Sequence, residues 1–173
     1  MHSMFLVKKR NLLLSGLLVS GLAASAQKTP KKYLQQYEPI AVNLMKETGV
    51  PASVILGVAM LESGMGTSRN ARLLKNHFGI VGKNSLAKKG GTYRSVYREF
   101  ASDSASYRQF VKLIMKRRWY ADLKGNEDYK AWLGKLIHSG YSSAGQVWVN
   151  RVSGMIRRYK LYELDDELKL AKQ

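Results

Sequence analysis

Glu62 closes a ten-residue run, positions 52–61, that carries no charge, and Gly64-Met65-Gly66 follows it directly. A carboxyl at the C-terminal end of a buried helix meets two effects of one sign. Desolvation disfavours the carboxylate, and the helix dipole places partial negative charge beside it. Both favour the protonated form near neutral pH, the state required of a general acid that protonates a glycosidic oxygen. The glycines behind it would let a long sugar chain approach the backbone closely. The alternative is a solvated glutamate at a glycine-capped helix end, and these neighbours alone leave both readings open.

Most glycosidases pair two carboxyl groups, yet residues 63–98 contain no Asp or Glu. Glu99 and Asp103 come next, and either could be recruited as the second group, although Asp103 also suits a helix cap. A route that uses the N-acetyl group of the sugar needs only an acid and a polar group to orient the amide. His77 and His138 are the only histidines beyond position 26, and there is no cysteine. No metal site is expected from that set, and no cofactor is expected. Tyr93 and Tyr97 suit stacking on pyranose faces, whereas Trp119 and Tyr120 read as core. Arg94 and Arg98 are within reach of peptide-stem carboxylates if they flank a substrate groove, though Arg98 is equally suited to a structural part.

The elements that must position these groups read as helices. Tyr37, Ile40, Ala41, Leu44 and Met45 form one stripe at helical spacing. Gly49 ends that helix and Pro51 suits the start of the next. Apolar residues on every face of 52–61 predict a helix buried all round. A buried strand competes for so short a run, and length and the leading proline favour the helix. Ile80 to Phe100 is glycine-rich and basic, without a helical stripe, and reads as a loop or short β-hairpin. Ser102 or Asp103 caps a helix with the stripe Tyr107, Phe110, Val111, Ile114 and Met115. Trp132, Leu133, Leu136 and Ile137 mark another, ended by Gly140. A last helix carries Trp148, Val152, Met155, Ile156 and Tyr159, and a short charged tail is expected to fray from Asp165. The expected fold is a mostly α single domain.

Lys8-Lys9-Arg10, an apolar run from Leu12 to about Ala23, and Ala24-Ser25-Ala26 have the order of a secretory signal peptide. The run is short of the ~20 residues a spanning helix needs. Residues 1–26 are therefore read as a signal peptide, 27–32 as a linker, 33–165 as the domain and 166–173 as the charged tail. An exported domain of this size can hold together by apolar burial without disulfides. Lys and Arg number 29 against 12 Asp and Glu; three of the cations fall in the leader, which leaves +14. Such a charge implies a polyanionic partner. Export argues against nucleic acid and leaves anionic lipid, peptidoglycan carboxylates and wall polymers, in the periplasm or outside the cell. A monomer is expected.

The run 51–68, Pro-Ala-Ser-Val-Ile-Leu-Gly-Val-Ala-Met-Leu-Glu-Ser-Gly-Met-Gly-Thr-Ser, resembles the catalytic helix of glycoside hydrolase family 73, the glucosaminidase domain of bacterial autolysins and flagellar-rod peptidoglycan hydrolases. Asn76-His77-Phe78-Gly79-Ile80 is similar to the family's second motif. Tyr97-Arg98-Glu99-Phe100, with Ser104 and Tyr107, resembles the third. Gly140-Tyr141 with Trp148, Asn150, Arg151 and Tyr159-Lys160-Leu161 resembles the C-terminal signature. The likeness spans residues 33 to about 165. It implies a lysozyme-like helical domain with the loop or hairpin lobe beside a cleft, and hydrolysis of the β-1,4 bond from N-acetylglucosamine to N-acetylmuramic acid in peptidoglycan glycan strands. Glu62 would be the acid, and Asn76, His77 and Phe78 would help form the substrate-binding cleft floor, flanked by Tyr93, Tyr97 and Arg98. Tyr141, matching the Gly-Tyr motif, is the candidate to hold the acetamide or the incoming water. The chain departs from the family in lacking a lobe carboxylate, and in reading Ser143-Ala144-Gly145 where Thr-Asp-Pro is usual. A lytic transglycosylase or muramidase of similar shape, or a catalytically silent wall-binding protein, is the competing expectation.

Overall fold

The structure, a computed structural model, describes residues 30–166. The signal peptide, the first residues of the linker and the tail beyond Asp166 lie outside the described residues. Seven α-helices follow in order: α1 (Pro30–Thr48), α2 (Ala52–Ser63), α3 (Arg69–Leu74), α4 (Asp103–Met115), α5 (Tyr120–Leu123), α6 (Tyr129–His138) and α7 (Gly145–Arg158). Two 3₁₀ turns join them, Leu86–Lys89 in the lobe and Leu161–Asp166 at the end. Helix α1 already includes residues 30–32, so the expected linker is shorter, because Pro30 can open a helix at no hydrogen-bonding cost. None of the described helices is long and apolar enough to cross a membrane.

Helix α2 is the axis of the molecule. Every residue from Ala52 to Met60 is buried, and α1, α4, α6, α7 and the terminal 3₁₀ turn all pack on it. Its start explains a misreading of the tail. Pro51 stands at the N-cap and offers no side-chain oxygen, so the orphan N–H groups of the first turn need another acceptor. Asp165 supplies it: its Oδ1 accepts the Ser53 N–H at 2.9 Å, and the residue is buried rather than frayed. Burial raises its pKa to about 6 against the hydrogen bonds from Ser53.

Gly57 sets the distance between α2 and α7. A Cβ there would lie 2.7 Å from Ile156 Cγ1 and 3.3 Å from Val152 Cγ1, so only glycine permits the two helices to close. The stripes of α1, α4, α6 and α7 face this axis as their spacing predicts, with Ile40, Ile137 and Tyr159 partly buried against the core and Met115 and Met155 outside it. In the lobe, a few backbone bonds, Gly82 N–H to Val96 and Arg98 N–H to Ile80 among them, are supplemented by a side-chain amide in place of a full strand ladder. Only Val81 and Tyr97 form an antiparallel bridge, while Asn84 Nδ2 donates to the carbonyls of Ser95 and Tyr97 at 2.8 Å each. Of the two expectations for this stretch, the loop is found and the hairpin is not.

Candidate active site

Helix α2 stops one residue past Glu62. Gly64, Met65 and Gly66 all take left-handed backbone conformations, φ +55°, +55° and +76°, and the Met65 N–H returns to the Met60 carbonyl at 2.9 Å. Met65 adopts this conformation with a side chain, which carries a strain of roughly 1 kcal/mol. The turn is fastened by Ser63, whose Oγ accepts the Gly66 N–H at 2.8 Å. A Cβ on Gly66 would meet the Tyr33 ring at 3.3 Å. The result is an abrupt end to the helix, with the Glu62 carboxyl held at its rim and half-buried.

That carboxyl has two different sides. Oε1 accepts the indole N–H of Trp148 on α7 at 2.7 Å. Oε2 lies 3.6 Å from the place a Cβ would occupy on Gly79, and Tyr97 Cε1 lies 3.8 Å from the same point. Glycine at 79 therefore leaves open space between the acid and the Tyr97 ring. Burial raises the Glu62 pKa, and the Trp148 hydrogen bond opposes that shift. Tyr141 stands alongside with its ring 5.2 Å from Trp148 and 5.7 Å from Phe110. Its hydroxyl donates to the Phe78 carbonyl at 3.0 Å, and burial, with the nearby Glu62 charge, keeps the phenol protonated far above its usual range.

The Asn76–Phe78 segment supports this arrangement through its backbone. Asn76 is buried and spends both ends of its amide: Nδ2 donates to the Ile80 and Arg98 carbonyls, and Oδ1 accepts from the Phe78 and Ile80 N–H groups. Phe78 stacks on Phe110 with ring centroids 4.3 Å apart. His77 is buried as well. Its Nδ1 meets the Tyr33 hydroxyl at 2.8 Å and its Nε2 meets Asp103 Oδ1 at 3.3 Å. The Tyr33 and Tyr107 hydroxyls share a further hydrogen bond at 2.8 Å, and the Tyr37 hydroxyl donates to Asp103 Oδ2 at 2.8 Å. Asn76 and His77 engage their polar atoms within the protein, and what they shape is the loop that presents the Phe78 carbonyl and Gly79.

The other candidates divide. Tyr97 borders the open space, whereas Tyr93 lies along the lobe, its hydroxyl donating to Asn70 Oδ1 at 2.8 Å and the Arg69 guanidinium 4.7 Å above its ring. Arg98 is exposed, its stem against Gly82 and its guanidinium 5.1 Å from the Phe100 ring centre. Both carboxylates offered as a second catalytic group are engaged elsewhere. Glu99 binds Lys89 and the Ser85 hydroxyl and N–H, which lower its pKa to about 2. Asp103 is held at about 2 by His77 first and also by Tyr37. Among the described residues no three His, Cys, Asp or Glu side chains converge to hold a metal ion. The Trp148–Glu62 pair, joined across 86 positions, has no local signal in the sequence.

A family model described as Glucosaminidase, mannosyl-glycoprotein endo-beta-N-acetylglucosaminidase, matches residues 38–161. Among solved structures, the chain resembles the catalytic domain of the autolysin Auto from Listeria monocytogenes, with 20% identity and a TM-score of 0.63 over 82% of this chain and 92% of that one. It is similar to the glycoside hydrolase domain of FlgJ from Salmonella typhimurium, with 22% identity and a TM-score of 0.58 over 82% and 95%. A peptidoglycan hydrolase from Sphingomonas sp. A1 has 20% identity and a TM-score of 0.59 over 79% and 93%. At such identities the likeness is one of fold. No curated protein matches the chain in sequence.

Proposed function

The chain belongs to the glucosaminidase family, and we propose that it is a peptidoglycan hydrolase that cleaves the β-1,4 bond from N-acetylglucosamine to N-acetylmuramic acid, with Glu62 as general acid. The observation that carries this reading is the Glu62 carboxyl itself. It is half-buried at the end of an uncharged helix, has a raised pKa, and turns Oε2 toward the space that Gly79 leaves open.

With Glu99 and Asp103 engaged in the lobe and in the buried cluster, the route through the N-acetyl group of the sugar is favoured. The Glu62 proton passes to the glycosidic oxygen as the carbon–oxygen bond breaks. The acetamide oxygen of the same sugar bonds to the anomeric carbon, and water, giving a proton back to the Glu62 carboxylate, then opens that ring to leave a reducing N-acetylglucosamine end. Tyr141 fits the orienting part. Its proton is donated to the Phe78 carbonyl, so its oxygen is free to accept the acetamide N–H.

The relatives named above support peptidoglycan as substrate, since one of them is itself called a peptidoglycan hydrolase. Purified peptidoglycan digested with the protein and with Glu62→Gln, reduced with borohydride and read by mass spectrometry, tests bond and acid together. Reduced N-acetylglucosamine ends that vanish in the variant are expected. Muramic or anhydro-muramic ends would assign a muramidase or transglycosylase instead, and the absence of new ends from either protein would leave a wall-binding protein.

A further inference from the structure

We infer that Trp148 is a positioning residue for the acid: its indole N–H fixes Oε1 of Glu62 as the acceptor, so that the transferable proton resides on Oε2, facing Gly79 and Tyr97. The inference rests on the reading of Glu62 as general acid and adds to it which oxygen acts and what holds it.

The geometry is specific. Trp148 is buried at the start of α7, and its N–H reaches Oε1 at 2.7 Å. A protonated carboxyl accepts best at its carbonyl oxygen and donates through its hydroxyl. An indole can only donate, so it selects the tautomer with the proton on the other oxygen. The indole is itself immobilised by the Tyr141 ring at 5.2 Å and by the close approach of α7 to α2 over Gly57. No rotation of the carboxyl is then needed before transfer.

The same bond assists the departure of the proton. A hydrogen bond to a carboxylate is about twice as strong as one to a neutral acceptor, so the indole stabilises Glu62 more once its proton has gone. Burial works in the opposite direction by disfavouring the charged form. Two further titratable groups face the acid: Tyr141, held protonated by burial, and Tyr97 across Gly79. Neither phenol offers the carboxyl an ionic partner, which leaves Trp148 as the group that offsets the desolvation.

Trp148→Phe keeps an aromatic ring and removes the donor. Expected are a kcat on peptidoglycan lower by roughly ten-fold or more, a KM within about two-fold of the parent protein, and a basic limb of the kcat profile moved to higher pH by about one unit. A fall in kcat with the limb unmoved or moved down, or a change confined to KM, overturns the inference. Should that variant not fold, benzothienylalanine placed at position 148 replaces the N–H by sulfur with little change of shape and carries the same expectations. A second readout needs no substrate. The Trp148 indole N–H resonance should titrate with pH in the parent protein and cease to do so in Glu62→Gln. An indole that does not titrate overturns the inference whatever the activity, and one that titrates in a protein that cleaves no glycan upholds the pairing while the function reading fails.

Discussion

A carboxyl that must surrender a proton near neutral pH has to be disfavoured as an anion without being cut off from its substrate. Glu62 sits half-buried at the last turn of α2, where desolvation raises its pKa and Oε2 lies against the gap at Gly79. Activity that depends on the acid form is retained below the raised pKa of Glu62 and lost as pH rises through it. The profile of kcat/KM should therefore have a descending basic limb displaced above the usual glutamate range, and a limb at an ordinary glutamate pKa would contradict the environment described. Tyr141 makes a separate prediction. Tyr141→Phe loses both the bond to the Phe78 carbonyl and the acceptor proposed for the acetamide, so kcat should fall by roughly ten- to a hundred-fold, in line with a lost hydrogen bond to a charged transition state. If glycans that lack the N-acetyl group are cleaved as well as acetylated ones by the parent protein, that assignment fails. The raised pKa of Glu62 was legible in the sequence because an acid closing an uncharged run has a simple electrostatic meaning. The part played by Asn76 was not, since the same amide would serve a sugar or four backbone groups, and only the folded loop decides between them.

At the level of elements, α2 draws its order from its neighbours more than from its own ends. Its N-terminus is capped by Asp165, 112 positions away from Ser53, and that carboxyl is raised to about 6. A carboxyl whose folded pKa lies above its unfolded value contributes stability that is complete below the unfolded value of about 4 and is lost as pH rises through about 6. Asp165→Asn keeps an oxygen for the Ser53 N–H while removing the buried charge. Thermal denaturation from pH 4 to 7 should show a flatter stability profile for Asp165→Asn, with a gain of roughly 1–3 kcal/mol at pH 7; a variant less stable than the parent there would refute the account. Apolar periodicity made the helices readable, but a run of Asp, Glu and Lys near a terminus looks like a solvated tail, and the missing cap at Pro51 was the available sign that an acceptor had to come from elsewhere. The α2–α7 contact gives the complementary prediction. Gly57→Ala would press on Ile156, so overpacking of about 1–3 kcal/mol should outweigh the gain of up to ~1 kcal/mol in helix propensity. Unfolding measured for Gly57→Ala, Ile156→Ala and the double variant should show a double cost smaller than the sum; strict additivity would mean that the two side chains do not compete for space.

Across the whole molecule, two features sit apart: the half-buried Glu62 carboxyl, whose Trp148 hydrogen-bond partner is neutral, and a formal charge of +17 over the full chain. The family fold was legible because four motifs in fixed order constrain one another, whereas the lobe was only partly so, its path depending on amide side chains rather than on strand pairing. The basic surface is distributed over the described helices and the lobe, with Lys88, Lys116, Arg117, Arg118, Lys135 and Arg157 all exposed. Among the described residues the hydrogen bond to the Glu62 carboxyl comes from a neutral indole, with no ion pair beside it. A field built from scattered charges acts on the encounter with an anionic polymer and falls away once the Debye length drops from about 10 Å at 0.1 M salt toward about 3 Å at 1 M. Chemistry at a half-buried carboxyl held by an indole is screened far less. Added salt should therefore raise KM for peptidoglycan several-fold and weaken retention of Glu62→Gln on the insoluble polymer, with kcat changed by less than about two-fold. Were kcat to fall with salt while KM held steady, the charge would have to act at the reacting bond, and the separation between an electrostatic surface that gathers substrate and a neutral pair that cleaves it would be wrong.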